Sequence, residues 1–285
     1  MANIRAIRRR IKGVQNTAKI TKAMEMVAAS KMKRAQERGL AGRPYSEKIH
    51  QVIANLAALP GTSGTLHPLL QKRPAGRIAV VHITPDRGLC GGLNASINRL
   101  TAGFILEQTV PVTLITVGRK GFDFMRRHRR DILAEFTQLG DRPSLLDTLP
   151  ISRIIIDDYC GGAYDLVYLV YAQFISTMLQ KPVLHQLLPM EPASISAAQN
   201  VDYLYEPAPD IVLGELLPRF VEMQVYHAVL ESIASEQSAR MVAMRNATDN
   251  ANELIGDLTL FYNKARQESI TRELLDIVGG VAALA

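Results

Sequence analysis

Two stretches at opposite ends of the 285-residue chain repeat small and apolar residues at alternating spacings of three and four. In the last stretch the repeat runs Leu230, Ala234, Met241, Met244, Thr248, Ala251, Ile255, Leu258, Tyr262 and Ala265, with polar Gln237 intruding once. No proline follows Arg219, and no glycine lies between Glu215 and Ile255. Such spacing over five heptads is a coiled-coil seam, narrower than the apolar stripe of an ordinary surface helix. At about 1.5 Å per residue, some 70 helical residues make a rod of roughly 100 Å, too long to sit inside one domain of this size.

The first stretch matches it. Ile4, Ile7, Ile11, Val14, Ala18 and Thr21 keep the alternation, Glu25 breaks it, and Ala28, Met32 and Ala35 resume it. The helix is expected to run to Ala58, weakened by Gly39 and Gly42 and kinked at Pro44. Two seams separated by a different kind of sequence imply one antiparallel coiled coil with a domain inserted at one end. The small seam residues bury little apolar area per layer, at about 25 cal/mol per Å², so a surrounding partner is implied.

Between the seams the period changes. Residues 59–76, with Pro60, Gly61, Gly64, Pro68, Pro74 and Gly76, read as a linker. Arg77–Thr84 and Val110–Val117 are continuous β-branched runs of the kind buried in parallel sheets. Tyr164–Phe174 and Pro182–Pro189 are two further strands, Ser144–Tyr159 a helix, and Arg119–Arg130 a very basic helix or loop. Strand alternating with helix predicts an α/β layer with a mainly parallel sheet. The expected division is a first helix over 1–58, a linker over 59–76, an α/β domain over 77–208 and a last helix over 209–285.

Charge is lopsided. Residues 1–50 carry 13 Lys or Arg against 3 Glu, whereas the whole chain is only +6. A helix that basic seeks an anionic surface, whether acidic protein, phosphate backbone or lipid head groups. No apolar run reaches the length of a membrane span. The N-terminus has no hydrophobic signal core, and Cys90 and Cys160 make no disulfide framework, so a reducing compartment is the default.

Chemistry-bearing motifs are sparse. The turn Gly88–Asn94 follows a buried strand, where a dinucleotide loop sits, but it lacks both the G-x-G-x-x-G spacing and the Lys-Ser/Thr pair of a P-loop. It reads as a tight turn for strand–helix packing. The six histidines are scattered without metal-ligand spacing. Cys90 reads as structural. A nucleotide-binding enzyme would need that glycine turn to hold phosphate, and a nucleic-acid protein would grip backbone with the first helix. Neither accounts for the long apolar tail.

Three stretches together carry a resemblance. The opening IRAIRRRI with VQNTAKITKAMEMVAASKM at 14–32, the loop DRGLCGGLN at 86–94, and the tail from Met244–Ala251 through Asn263–Thr271 closely resemble the gamma subunits of F-type ATP synthase. The resemblance implies a Rossmann-like foot domain inserted into a coiled-coil shaft that turns within a ring of alpha and beta subunits. It implies contact of the foot with the c-subunit ring and the epsilon subunit, and membership of the delta subunit in the same complex. Neither a nucleic-acid partner nor a cofactor nor catalysis by this chain is implied. The expected place is the cytoplasmic face of the bacterial plasma membrane, peripherally held.

By that resemblance Arg266 and Gln267 lie where relatives contact a beta-subunit loop. Arg8, Arg9, Lys31, Lys33 and Arg34 lie where an acidic lever of the beta subunit presses, with Met24 in the same zone. Arg240, Thr271 and Ile277 complete the expected partner-facing set. Thiol regulation of the plastid kind is not expected from Cys90 and Cys160.

Helix length adds a register. If Ala58 and Pro209 lie near each other, antiparallel partner positions sum to about 267, give or take roughly one turn. Ile11 then faces the region of Gly256, Ala18 that of Asp249, and Ile4 that of Asn263. Beyond Arg266 the first helix has run out, leaving Ile270, Leu274, Ile277 and Val281 without an intramolecular partner.

Overall fold

The computed structural model describes residues 4–58, 67–190, 205–206 and 208–284. Among the described residues five α-helices and five strands follow in the order α1 (Ile4–Ala58), β1 (Ile78–Ile83), α2 (Leu93–Glu107), β2 (Val112–Val117), α3 (Arg119–Arg127), β3 (Ile132–Phe136), α4 (Leu145–Cys160), β4 (Leu166–Phe174), β5 (Gln180–Leu188) and α5 (Pro209–Leu284). Two compact units result. One comprises Met1–Ala28 with Met241–Ala285, and the other Ala29–Arg240. The long helices thread both.

In the larger unit the sheet order is β3-β2-β1-β4-β5. β1 pairs in parallel with β2 and β4, β2 in parallel with β3, and only β5 runs antiparallel. The mainly parallel α/β sheet inserted between terminal helices is the architecture the sequence implies. β1 is buried along its whole length, as a central strand covered on both faces must be. Its side chains alternate between two cores. Ala79, Val81 and Ile83 join Ile151, Ile155 and Tyr159 of α4 and Leu217, Val221 and Val225 of α5. Ile78 and Val80 join Ile97 of α2, Met125 of α3 and Leu114 of β2.

The local reasons are legible. Gly118 turns the chain out of β2 at φ 94°, where an added Cβ would lie 1.8 Å from the Thr84 carbonyl oxygen, so no other residue fits. Ser144 caps α4, its hydroxyl and backbone N–H both donating to Asp147 at 2.8 and 2.7 Å. α1 runs through Pro44 to Ala58. Near there Gly42 lets the helix approach α5 so closely that a Cβ would meet the His227 ring at 2.8 Å.

The structure departs from the sequence reading at three places. β3, a five-residue strand, follows the basic helix where no strand was expected. Being short, at the sheet edge and alternately covered, it lacks the apolar run that marks a buried strand. β5 begins two residues before Pro182. The inferred linker falls partly outside the described residues, at 59–66; its remainder contains a short 3-10 turn at Pro68–Leu70 that buries Leu69 and Leu70. The connector around Tyr203–Pro209 is likewise only partly described.

Candidate functional site

In the smaller unit the two seams close on each other. Ile7, Ala18, Thr21, Glu25 and Ala28 of α1 are buried, as are Met241, Met244, Thr248 and Ala251 of α5. Ile255, Leu258, Tyr262 and Ala265 continue the row half-buried. The Thr21 and Thr248 hydroxyls meet at 2.7 Å. One donates across the seam while the other donates to a carbonyl of its own helix, that of Ala18 or Met244. One turn away, the Arg245 Nε donates to Glu25 at 3.1 Å. These pairs lie two to three residues from the register expected from length, inside the one-turn margin.

Glu25 does not break the seam, contrary to the sequence reading. Its carboxylate is only 8% exposed and is neutralised from two sides, by Lys22 of its own helix at 3.0 Å and by Arg245 of the other. The Lys22 hydrogen bond, more than burial opposes it, holds the Glu25 carboxyl below the ordinary value, with Arg245 adding to the effect. A buried, paired ion is a register device rather than a strong source of stability.

Past Ser269 every described side chain of α5 is exposed. Ile270 is 45% exposed, Leu274 58%, Ile277 64% and Val278 64%. The side chain of Val281 lies outside the described residues.

In the larger unit a second polar junction holds the long helices to the sheet domain. Asp141, in the loop between β3 and α4, accepts from Lys31 of α1 at 2.6 Å and from Gln237 of α5 at 3.3 Å. Arg240 donates to Glu236 at 2.6 Å and to the Gly88 carbonyl at 3.1 Å. Burial pushes the Glu236 carboxyl up while Arg240 pulls it down. Asp86 ties the ends of three strands, accepting from the backbone N–H of Arg119 and of Gln138 at 2.9 and 3.0 Å. Around these groups lies a polar cleft of about 870 Å³ bounded by Asp86, Arg119, Glu135, Asp141 and Glu236.

The glycine turn after β1 packs as the sequence suggests: Cys90 and Leu93 enter the core, and Asn94 donates to the Cys90 sulfur at 3.3 Å. Burial raises the Cys90 thiol, keeping it protonated and unreactive. Cys160 is exposed, and both thiols are free.

The partner-facing residues named from sequence are divided between the two units. Arg8, Arg9, Arg266, Gln267, Thr271 and Ile277 are exposed in the smaller unit, and Met24 is half-buried there. Lys31, Lys33, Arg34 and Arg240 belong to the larger one. Lys33 is well exposed beside Glu37 at 4.0 Å, and Arg34 donates to Ser30. Lys31 and Arg240 are committed within the chain, Arg240 being 11% exposed. Sequence reasoning missed Asp141, Glu236 and the Glu25–Arg245 pair. The signal for them was present in the two polar residues, Glu25 and Gln237, that interrupt the seams.

Comparison with known proteins agrees over the whole length. The family model described as ATP synthase matches residues 3–284. An ATP synthase gamma chain from Dehalococcoides mccartyi is 69% identical over 285 residues, covering all of both chains. One from Herpetosiphon aurantiacus is 51% identical, covering 100% of this chain and 99% of that one. Among solved structures, the central stalk and c-ring of the Tetrahymena thermophila mitochondrial ATP synthase matches with TM-score 0.63 and 29% identity, over 80% of this chain and 99% of that one. A chain of the Euglena gracilis mitochondrial OSCP/F1/c-ring assembly shares the fold, with TM-score 0.67 at 20% identity over 99% of this chain and 94% of that one.

Proposed function

Because the chain belongs to the ATP synthase gamma-chain family, we propose that it is the shaft whose rotation couples proton flow through a membrane c-subunit ring to the conformational cycling of the beta-subunit catalytic sites for ATP synthesis. It makes and breaks no bond of the substrate itself. Its task is to present a different face to each of three beta sites as it turns, so that they occupy different states at any instant. The partners of this reading are the alpha and beta subunits around the helical pair, the epsilon subunit and the c ring at the α/β domain, with the delta subunit elsewhere in the complex. Arg8, Arg9, Met24, Lys31, Lys33, Arg34, Arg266, Gln267, Thr271 and Ile277 are the proposed partner-facing residues; Arg240, held between Glu236 and the Gly88 carbonyl, acts within the chain instead. The chain works peripherally, at the cytoplasmic face of the plasma membrane; no helix among the described residues is long and apolar enough to cross a membrane.

The observation that best supports this reading is the uncovered end of α5. Five large apolar side chains, Ile270, Leu274, Leu275, Ile277 and Val278, stand between 45% and 64% exposed, on a helix whose preceding turns are closed against α1. A row of that kind calls for a surrounding surface, and small or aliphatic residues without interlocking polar groups suit a bearing that must slide. The exposed Cys160 supplies the test, since buried Cys90 resists labelling. A bead attached to Cys160 in an assembled alpha–beta–gamma complex is expected to rotate in one direction during ATP hydrolysis, with three dwells per turn. An ATPase-active complex containing the chain in which the bead stays still would sink the reading.

A further inference from the structure

We propose that the free edge of β3, with the arginines that close α3, is a docking site for an extended acidic segment of a partner protein, which adds to the sheet as a further strand. This is independent of whether the helical pair turns. Three observations meet at this edge.

The first is the contrast between the two edges of the sheet. β5 carries Lys181 and Pro182, residues that discourage strand addition. β3 reads Ile132-Leu133-Ala134-Glu135-Phe136 and has neither lysine nor proline. Among the described strands it pairs only with β2, and Leu133 is 49% exposed beside the open edge. A short edge guarded only by the Glu135 carboxylate, with no lysine or proline, still leaves backbone groups open to a partner strand.

The second is charge. Lys120, Arg126, Arg127, Arg129 and Arg130 precede this strand. Arg126 lies over the Phe122 ring at 5.0 Å. Among the described residues no carboxylate pairs with Arg127, Arg129 or Arg130. Asp131 is turned the other way, accepting from Thr113 of β2 at 2.9 Å. The dipole of α3 accounts for cations in its last turn, Arg126 and Arg127. Arg129 and Arg130 lie beyond it.

The third is the backbone at Arg129. α3 ends with the Arg129 N–H donating to the Arg126 carbonyl and the Arg130 N–H donating to that of Met125, at 3.0 and 3.1 Å. In this closure the first residue past the cap is left-handed and is usually glycine. Here it is arginine at φ 51°. A side chain costs more there than glycine does, so the helix end carries a cation where the backbone alone would favour glycine.

Together these features define the ligand. Main-chain bonds to β3 give affinity, apolar side chains alternate over Leu133, and carboxylates at the end nearest Arg129 and Arg130 fix orientation. Opposite Glu135, at the far end, the ligand carries a neutral or basic residue.

The test uses the full chain and a fluorescent peptide of alternating valine and threonine with glutamates at one end. Its controls are two versions N-methylated on alternate amides, one for each peptide edge, and one with lysine in place of glutamate. By anisotropy, the acidic peptide is expected to bind, while the lysine version and one of the two methylated versions lose about tenfold or more. Arg129→Gly and Arg130→Ser are each expected to weaken binding, with the thermal midpoint of Arg129→Gly unchanged or raised because the left-handed strain is relieved. Equal binding by both methylated peptides overturns strand addition. No binding by the acidic peptide overturns the proposal outright. So does capture of phosphatidylglycerol vesicles or of an oligonucleotide that depends on Arg129 and Arg130 while the peptide stays free.

Discussion

At the scale of single residues, the most informative side chains are polar ones placed where the pattern asks for apolar ones. Thr21 and Thr248 are such a pair, each half satisfied by its own helix and half by the other. Replacing one with valine leaves the opposite hydroxyl only the carbonyl of its own helix, which costs about 0.5–1.5 kcal/mol, whereas replacing both removes two polar groups together and costs less than the two single losses added. A double-mutant cycle read from denaturant midpoints checks this, and a double variant that loses the full sum of the single losses would contradict it. His82 is another. It is fully buried in β1, with Nε2–H directed at Asn98 and Nδ1 at the Thr101 hydroxyl, both at 2.9 Å. Burial, against the Asn98 hydrogen bond, lowers its pKa to about 4. Between that value and the ordinary histidine value of 6.5, the unfolded chain binds a proton that the folded chain refuses. Stability from this group is therefore present above the unfolded value and is lost as pH falls through the window. The His82 imidazole is expected to stay neutral by NMR at pH 5.5, and the thermal midpoint to drop between pH 7 and 5 less steeply in His82→Gln. Nothing in the sequence singled out this histidine, because burial in a central strand depends on neighbours contributed by α2 and α3.

At the scale of elements, the seams were legible because a repeat of three and four is local and long, and β1, β2 and β4 because their runs of aliphatic and aromatic residues are nearly continuous. β3 was not, since five residues covered on alternate sides resemble a loop. The fastening of α1 and α5 at Asp141 was hidden for a different reason: its three members lie 110 and 96 residues apart. The Lys31–Asp141 pair is half exposed, with side chains 35% and 47% accessible, and is worth about 0–1 kcal/mol. Gln237 is buried at 2% exposure, and its amide loses a partner if Asp141 is shortened. Asp141→Ala is thus expected to cost about 1–2 kcal/mol and Lys31→Ala less than half of that. Urea titration of both variants decides, and the reverse order would show that the ion pair, not the buried amide, holds the junction.

At the scale of the whole molecule, the charge on residues 1–50 and the apolar tail of α5 belong to surfaces that other subunits are proposed to cover. Replacing Lys31, Lys33 and Arg34 together with glutamate is expected to lower the ions pumped per ATP hydrolysed while the isolated chain keeps its far-UV spectrum; unchanged pumping would remove these cations from the coupling contact. Replacing Leu274 and Ile277 with glutamate is expected to make the isolated chain more soluble and to weaken its assembly with alpha and beta subunits, as judged by co-purification. The seam itself has one further property. Its spacing averages 3.5 residues, slightly less than the 3.6 of a straight helix, and that mismatch winds two helices about each other with a left-handed pitch. A wound pair is chiral in its mechanics. Torque of one sense tightens the supercoil and presses Thr21 onto Thr248 and Glu25 onto Arg245, whereas torque of the other sense unwinds it and pulls those contacts apart. Winding and unwinding loads on the two-helix segment therefore act on its cross-seam contacts in opposite ways, a handedness written into the spacing of its small residues.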